Sequence, residues 1–461
     1  MSGVESVRVL FVFKSAPDTT DYYSHILDRL NGVDGVEVIV AIGGDGSCVG
    51  SPSVARGYTS VLCQEAQWSD GEFWLPDLPD VLARHEPDVV VTVPEYLESF
   101  RRDPTLRRLR RRSGFKLLLK SIPFRVPTLP EFRAAKLGRL RERVTSPSRW
   151  QRPLQHWGVA GKSVVRGIGL LRWAVGRLRV WRDCRAQCAR WRLPDGHVNY
   201  TDDAHTVYGS YGVPADRIHV IGNSPDTDRH FRLRAQVEQA GVQRHPHRLL
   251  HVGRMVAWKR VDLLLEAARR LKDRYPDLDV VVAGEGPMAA EWRQLSESLG
   301  QQEYVRFVGG VYEPLEVARL FMESGVYVLA GMGGISINDA MCYGCPVVCS
   351  VCDGTERRLV RHGDTGLFFI EGDAGDLTST LHRLLANPEV QVAMGEAGTQ
   401  RIRSTVNIYS VLAGYMRAFE AVTRKDLASS RCDIREVAGR AGYDVVGLGA
   451  PCCGAGDREG S

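Results

Sequence analysis

The sequence predicts an α/β protein with two Rossmann-like domains, each built around a doubly wound parallel sheet. Runs of four to eight apolar residues, typical of buried strands, alternate with amphipathic helix patterns along most of the 461 residues. The alternation pauses at a polar stretch, 226–247, and begins again at Arg248. Two successive β–α series of this length indicate two domains, with ligands bound at the carboxyl ends of the strands in the cleft that the domains face.

In the first series, the apolar runs predict strands and the amphipathic segments predict helices. Predicted strands occupy 7–13, 36–42, 87–93, 115–119, 197–200 and 218–221, and predicted helices occupy 21–31, 77–85 and 204–211. The second series repeats this order after Arg248. Predicted strands occupy 248–252, 279–283, 304–308, 326–330, 346–350 and 367–370, and helices begin near 261, 288, 314, 335, 354 and 376.

These elements divide the chain into regions. The predicted regions are a first domain over 1–228, with a basic insert at about 101–195, a linker over 229–246, a second domain over 247–404, a long helix over 405–424 and a loose tail over 425–461. The tail is predicted because the chain after residue 424 is rich in glycine, serine and charged residues.

Two patterns suited to binding phosphate follow strands of the second domain. Gly253 lets the backbone turn after the first of these strands, and Arg254 and Lys259 then place two cations in one cleft. About 80 residues later, a glycine-rich turn at 331–334 opens a helix, whose free N–H groups and positive dipole end attract an anion. Together they predict a nucleotide-diphosphate ligand.

Five motifs resemble, in order, those of the retaining glycosyltransferases of family 4, also called group 1 glycosyltransferases. The motifs are Gly253-Arg-Met followed by Lys259, Gly284-Glu-Gly-Pro287, Val305-Arg-Phe-Val-Gly309, Asp339-Ala-Met-Cys-Tyr-Gly-Cys-Pro-Val-Val348 and Gly363-Asp-Thr-Gly-Leu367. The resemblance covers residues 195–424 well and 1–194 only loosely. It implies the GT-B fold, a nucleotide-diphosphate-sugar donor, and a last helix that crosses back onto the first domain.

The resemblance also implies roles for individual residues. The family has two glutamates separated by seven residues, the first beside the donor sugar and the second on the ribose hydroxyls. The corresponding positions here hold Gly331 and Asp339, so the ribose ligand keeps a carboxylate and the first position has no side chain. The predicted catalytic residues are Arg254 and Lys259, and the predicted donor-binding residues are Gly253, Gly284, Val308, Gly309, Gly333, Gly334, Ile335, Ser336 and Asp339.

Gly331 leaves two interpretations open. Backbone N–H groups of 333–336 hold the donor in place of the missing glutamate, or the chain has lost catalytic power. We favour activity, because retaining transfer depends largely on stabilising the leaving diphosphate, and Arg254 and Lys259 are present for that role.

The acceptor side of the sequence is less informative. Family members commonly have a glycine-rich turn after the first strand and a histidine after a central strand. The corresponding segments here, Lys14-Ser-Ala-Pro-Asp18 and Leu119-Lys-Ser-Ile-Pro123, contain neither. Glu95, just past a predicted strand, is the weak acceptor-side candidate, and an ordinary surface glutamate is the alternative.

The sequence predicts no metal and no cofactor apart from the donor substrate. No Asp-x-Asp motif is placed to hold a divalent ion on the diphosphate. Cys342, Cys345, Cys349 and Cys352 have the spacing of a metal framework, but the predicted helix, cap and strand point their thiols in different directions.

Charge is unevenly placed. Residues 101–195 hold 26 Lys and Arg against 5 Asp and Glu, whereas the whole chain has a net charge of only +5. Tryptophans are interleaved with the arginines from Trp157 to Trp191, notably Trp173 and Trp181. Three interpretations are open: a solvated helical face, a helix on an anionic membrane surface, or a nucleic-acid site. We disfavour nucleic acid, since no recognisable binding module accompanies the charge.

The start of the chain lacks the basic and apolar segments of an export signal, and no stretch of about 18 uncharged apolar residues occurs. The sequence therefore predicts a cytoplasmic protein, either free or peripheral on the inner face of the membrane.

The predicted function is that of a retaining, metal-independent, hexosyltransferase-type glycosyltransferase with a UDP- or GDP-sugar donor. Its predicted partners are the nucleotide sugar, a glycan, glycolipid or small-molecule acceptor, and an anionic membrane surface. The acceptor is open. A lipid-linked or surface glycan precursor suits the basic insert at about 101–195, and a small natural product suits the first-domain segments that depart from the family pattern. A non-catalytic protein that binds sugar nucleotides is the alternative from another class.

Overall fold

A computed structural model of the protein describes residues 5–14, 23–44, 57–145 and 158–445. These residues form two parallel sheets with helices on both faces, which confirms the prediction of two Rossmann-like domains. Most strands carry apolar residues on both faces, as buried parallel strands require. All four residues of Val89–Thr92, for example, are buried.

The first domain contains the longer sheet. Its strands are β1 (Val7–Phe13), β2 (Val36–Gly43), β3 (Thr59–Cys63), the short pair β4 (Ala66–Gln67) and β5 (Phe73–Trp74), β6 (Val89–Thr92), β7 (Lys116–Ser121), β8 (Gly196–Asn199) and β9 (Ile218–Val220). Within the described residues, the order in the main sheet is β3-β2-β1-β6-β7-β8-β9, and all its neighbours are parallel.

The helices that follow these strands cover both faces of the first sheet. They are α1 (Ser24–Asn31), α2 (Leu78–His85), α3 (Leu97–Arg102), α4 (Pro104–Ser113), α5 (Leu129–Thr145), α6 (Gly158–Trp191) and α7 (Asp203–Ser210). Strand β3 and helices α3 to α6 were not individually predicted. Helices α5 and α6 pack against each other and account for most of the basic insert.

The second domain begins with a helix and has the order β12-β11-β10-β13-β14-β15 in its sheet. The strands are β10 (His245–Val252), β11 (Asp279–Ala283), β12 (Val305–Gly309), β13 (Ser324–Leu329), β14 (Val347–Cys349) and β15 (Gly366–Phe368). The helices are α8 (Thr227–Gln239), α9 (Val261–Lys272), α10 (Ala289–Ser298), α11 (Pro314–Glu323), α12 (Ile335–Cys342), α13 (Thr355–Leu359), α14 (Ala374–Leu385) and α15 (Pro388–Ser404).

The prediction of a linker over 229–246 is wrong. Most of that segment is helix α8, which packs on α11 and α12 of the second domain. Arg234 fixes it there, because its guanidinium donates to the Cys342 carbonyl oxygen at 3.3 Å and to Thr399 Oγ1 at 2.8 Å. The remainder, from His245, is already part of strand β10.

The prediction of a loose tail from residue 425 is also wrong for the part that the structure describes. Helix α16 (Ile408–Thr423) packs on the first domain, and α17 (Ala428–Arg440) packs on α16. Leu427, Ile434 and Ala438 are buried in the same core as strand β1. Residues 446–461 of the predicted tail lie outside the described residues.

The carboxyl edges of the two sheets face each other. Asp202, after β8, forms an ion pair with Arg358 on α13 at 3.6 Å. A cavity of about 650 Å³ is lined on one side by α1 and on the other by α11 and α12. Among the described residues, no helix is long and apolar enough to cross a membrane.

Candidate functional site

The turn after β10 is held by the turn after β11 through backbone contacts. Met255 N–H donates to the Glu285 carbonyl oxygen at 2.7 Å, and Met288 N–H donates to the Met255 carbonyl oxygen at 3.0 Å. Gly284 has a φ of +144°, and a Cβ there would overlap the carbonyl oxygen of Gly253. Glycine is therefore required at 284, and the turn that carries Arg254 is fixed in place.

Arg254 and Lys259 both follow this turn but differ in environment. Arg254 is exposed, and among the described residues it forms no ion pair. Lys259 closes a short 3-10 turn, Ala257–Lys259, and is half-buried. Burial lowers the pKa of Lys259, and the nearby carboxylates of Asp353 and Glu356 partly offset this shift.

Lys259 lies between the turn at Gly253 and the glycine-rich turn at 331–334. Its Cε is 3.7 Å from where a Cβ on Gly253 would lie, and its Nζ occupies the space that a Cβ on Gly333 would need. Glycine at 333 therefore leaves room for the ammonium group, whereas the distance at 253 is an ordinary van der Waals contact. The structure brings the two predicted phosphate patterns together at one ammonium group.

The backbone at Gly331 explains why no glutamate occupies that position. Met332 N–H donates to the Trp258 carbonyl oxygen at 2.9 Å. A Cβ on Gly331 would overlap that oxygen and would lie 2.9 Å from the carbonyl carbon of Lys259. The segment that carries Lys259 thus fills the space in which a side chain at 331 would begin.

Helix α12 follows the turn and begins after Gly334. Ile335 and Ser336 form its first turn, and the Ser336 hydroxyl already accepts a hydrogen bond from Tyr327 at 2.7 Å. The backbone N–H groups of this first turn are therefore the groups that can face an anion, because helix N-termini leave them without intrahelical acceptors.

Asp339 lies one turn further along α12 and lines the cavity between the domains. Its Oδ1 is 3.3 Å from His230 Nε2, without hydrogen-bond geometry, and His230 Nδ1 is 2.7 Å from the Tyr343 hydroxyl. Burial raises the pKa of Asp339 to about 7 and lowers that of His230 to about 4. Oδ1 itself is buried, but the Asp339 side chain keeps an exposed fraction of 20%, so the rest of the carboxyl group is the part that can accept a ligand hydroxyl from the cavity.

Sequence reasoning missed His230. It lies 109 positions before Asp339, in the stretch that was assigned to a linker. A histidine on a polar helix gives no signal of its own, and only the packing of α8 on α12 brings it to the carboxylate.

The carboxyl end of β12 and the residues that follow it are the predicted neighbours of the nucleotide base. Val308 is 41% exposed, and Gly309 has a φ of +77°. Gly310 N–H donates to Glu285 Oε1 at 3.3 Å, and Tyr312 is highly exposed. This edge offers backbone groups and an aromatic ring to a ligand that extends from the phosphate turns.

On the first domain, Glu95 is exposed just after β6 and lines a separate cavity of about 510 Å³. The cavity is mostly apolar, and its charged lining residues are Glu95, Lys120, Arg125 and Arg190. Glu95 is therefore at the carboxyl edge of the sheet, but no contact of its side chain distinguishes it from a surface carboxylate.

The four cysteines with metal-like spacing lie within or beside the second core. Cys342, Cys345 and Cys349 are buried, and Cys352 is half-buried. In the ranges that the structure describes, no group of three or more His, Cys, Asp or Glu side chains is arranged to hold a metal ion.

Part of the chain is similar to known glycosyltransferases. The family model described as glycosyl transferases group 1 matches residues 232–401, which run from α8 to α15. A D-inositol 3-phosphate glycosyltransferase of Corynebacterium aurimucosum is 28% identical over 214 residues, or 43% of this chain and 50% of that protein. A GDP-mannose-dependent alpha-(1-6)-phosphatidylinositol monomannoside mannosyltransferase of Mycolicibacterium smegmatis is 29% identical over 197 residues, or 41% of this chain and 49% of that protein.

The chain thus spans about half the length of these curated relatives. A solved structure covers more of it: Anabaena HepE in complex with UDP and glucose superposes with a TM-score of 0.57 at 14% identity, over 89% of this chain and 98% of that one. That likeness shows the GT-B fold. Residues 232–401 are therefore similar to the group 1 glycosyltransferases, and the chain has the GT-B fold.

Proposed function

We propose that the protein is a retaining glycosyltransferase that moves a hexosyl group from a UDP- or GDP-sugar to an acceptor. The observation that carries the proposal is the position of Lys259, whose ammonium group lies between the turn at Gly253 and the glycine-rich turn at 331–334, with Arg254 on the same loop. A cation beside the turn that opens a helix, with a second cation on the adjoining loop, suits a diphosphate.

Each of the predicted site residues then has a role in donor binding. Arg254 makes two-pronged contacts to the diphosphate, and Lys259 adds a point charge. Backbone N–H groups of 333–336 hold the donor where the family has a glutamate. Asp339 accepts hydrogen bonds from the ribose hydroxyls, and the backbone at Val308 and Gly309 borders the base.

In the proposed transfer, the bond between the anomeric carbon and the diphosphate oxygen breaks, and its electron pair stays with the diphosphate. A bond to the acceptor oxygen forms on the same face of the sugar, and the proton of the acceptor hydroxyl passes to the departing diphosphate. Negative charge develops on the departing diphosphate, and the two cations stabilise it in a partly desolvated site. The proposed reaction needs no divalent ion, because these cations supply the positive charge.

The proposal includes two nucleotide bases for the donor, uracil and guanine. One curated relative is named as GDP-mannose-dependent, and the structural neighbour binds UDP. Both bases therefore remain in the proposal.

For the acceptor, we propose a lipid-linked or surface glycan precursor. The first-domain cavity beside Glu95 supports this choice, because it combines an apolar lining with Lys120 and Arg125, while its third cation, Arg190, is already paired with Glu72. Such a lining suits a molecule with both an apolar part and an anionic group. A small natural product is the other acceptor class that fits a cavity of this size.

A non-catalytic protein that binds sugar nucleotides is the second candidate function. Gly331 favours it, because the site lacks the carboxylate that the family places beside the donor sugar. The two candidates share donor binding and differ in turnover, so they are separated by an assay of donor hydrolysis.

Donor binding itself is tested by titrating the full chain with a panel of UDP- and GDP-sugars in buffer that contains EDTA. We expect at least one to bind with a Kd below about 1 mM, the upper range for enzyme substrates. The Arg254→Ala variant should bind that sugar at least tenfold more weakly. Arg383→Ala, at an exposed arginine on α14, is the matched control and should bind normally. Binding only when a divalent ion is added, or no binding at all, would contradict the proposal.

A further inference from the structure

We propose that the helical hairpin formed by α5 and α6 docks the protein on a membrane surface rich in anionic phospholipid. The inference goes beyond the proposed glycosyl transfer and does not depend on it. It rests on an exposed apolar face of α6 that adjoins a cationic groove between the two helices.

The hairpin is packed along one face of α6. Leu140 of α5 occupies the space beside Gly176, so closely that a Cβ on this glycine would overlap its side chain. Lys136 of α5 forms an ion pair with Asp183 of α6 at 2.8 Å, and Val180 is only 7% exposed. These contacts occupy the face of α6 that is turned toward α5, so that face is not available to another molecule.

The carboxyl end of α6 anchors the hairpin to the first domain. Trp191 is buried in the domain core, where its ring packs against Tyr208. Arg190 pairs with Glu72 at 2.9 Å and donates to the Pro94 carbonyl oxygen at 3.0 Å. Trp191 is therefore a structural anchor, and only the part of α6 that precedes this anchor is available to a partner.

A second apolar face lies on the opposite side of α6. At 100° per residue, its members span an arc of about 140°, roughly opposite Gly176 and Val180. These residues and their exposed fractions are Leu170 69%, Leu171 67%, Val175 48%, Leu178 59% and Trp181 53%. A contiguous group of large apolar side chains left in water is typical of an interaction surface.

The groove between the helices adds positive charge directly beside this face. It has a volume of about 570 Å³, and Leu171 and Val175 belong to its lining. The charged residues of the lining are Lys136, Arg139, Arg172, Arg179 and Asp183. Because Asp183 is already paired with Lys136, the groove keeps an excess of positive charge toward any ligand.

This combination selects an anionic membrane. Phosphate headgroups suit the groove, while the leucines and Trp181 suit the boundary between headgroups and acyl chains. The Arg185 guanidinium lies 4.7 Å from the centre of the Trp181 ring, so a cation accompanies the indole to the interface. A second copy of the chain packed hairpin against hairpin is disfavoured, because residues 101–195 carry a net charge of +21 and would repel each other.

The test is sedimentation of the full chain with vesicles of phosphatidylcholine, with and without phosphatidylglycerol. We expect binding only to vesicles that contain phosphatidylglycerol, and weaker binding as salt rises. Leu178→Ser with Trp181→Ser should lower the partition coefficient at least tenfold, and so should Arg139→Glu with Arg179→Glu. Val392→Ser and Arg383→Glu, at exposed positions of the second domain, are the matched controls and should bind as the unmodified protein does.

A measurement on the unmodified chain guards against variants that fail to fold. Phospholipids brominated on their acyl chains should quench part of the tryptophan emission, and Trp181→Phe should remove much of that quenching. Absence of binding at low salt would overturn the proposal, as would binding that ignores the Leu178 and Trp181 substitutions. A nucleic-acid surface would give a different result. Duplex DNA would then release the protein from the vesicles, the Arg139 and Arg179 substitutions would abolish binding to DNA, and brominated lipid would not quench the tryptophan emission.

Discussion

Replacing Arg254 or Lys259 with Ala is expected to lower turnover of the nucleotide sugar by on the order of a hundredfold or more. Loss of one preorganised electrostatic donor typically costs about 2.7–4 kcal/mol of transition-state stabilisation. Lys259 should have the larger effect of the two, because it is half-buried between the turn at Gly253 and the glycine-rich turn at 331–334, whereas Arg254 is exposed. The measurement is release of the nucleotide diphosphate under saturating donor.

Matched controls are Arg383→Ala on α14 and Lys272→Ala on α9, which lie outside the site and should leave turnover unchanged. Burial lowers the pKa of Lys259, so its charge is lost at a lower alkaline pH than for an ordinary lysine. Turnover of the unmodified protein should therefore fall on the alkaline side as this ammonium deprotonates. Near-normal turnover in a folded variant that lacks both cations would remove them from the mechanism.

Replacing Gly331 with Ala is expected to damage the site although it adds a single methyl group. The new Cβ would overlap the Trp258 carbonyl oxygen, so the backbone that carries Lys259 must move. Overpacking of this kind costs about 1–3 kcal/mol of stability. Turnover should fall at least tenfold, because Lys259 leaves its position between the two turns.

Gly331→Glu should be no more active than Gly331→Ala, since the carboxylate that the family uses would meet the same obstruction. Gly439→Ala in α17 is the control, because a Cβ at that helical position has no atom of another residue within 4 Å. Its activity and melting temperature should be preserved. If Gly331→Glu instead raised turnover above that of the unmodified protein, the backbone at Trp258 would not be the reason for the missing glutamate.

The sequence predicts the sheets well because buried parallel strands have an unmistakable composition. It does not reveal α8, whose residues are mainly polar and which buries only Thr227 and Val237. That helix is held by partners far along the chain, such as the bonds of Arg234 to the Cys342 carbonyl oxygen and to Thr399. Pattern reasoning has no access to such contacts.

The α17 helix is a different case, because its signal is in the sequence. Leu427, Ile434 and Ala438 recur at spacings that place them on one helical face, and all three are buried. The glycine and charge content of the following residues obscured this pattern. Composition therefore misassigned residues 425–445 as part of a loose tail.

The candidate donor site is predictable from the sequence in its parts but not in its arrangement. The motifs identify Arg254, Lys259 and Asp339, but the meeting of both turns at Lys259 depends on backbone approach. The same approach accounts for Gly331, which the resemblance alone presents as a defect. His230 beside Asp339 follows only from the packing of α8.

Counting charges in the basic insert does not determine which of its faces is exposed. Its tryptophans differ in burial: Trp191 is buried in the core of the first domain, Trp173 is half-buried, and Trp181 is 53% exposed. Trp157 lies outside the described residues. The sequence places arginines among them all, and only the pairing of α5 with α6 distinguishes the face that is available to a partner.

The central claim is that a site without the family's first glutamate still transfers sugar. The most direct measurement is slow hydrolysis of the bound nucleotide sugar, followed as released nucleotide diphosphate by chromatography in buffer that contains EDTA. The account predicts release by the unmodified chain, with a loss of about a hundredfold in Lys259→Ala at unchanged thermal stability. Tight binding of a nucleotide sugar with no more release than in Lys259→Ala would contradict it and would identify a non-catalytic binding protein.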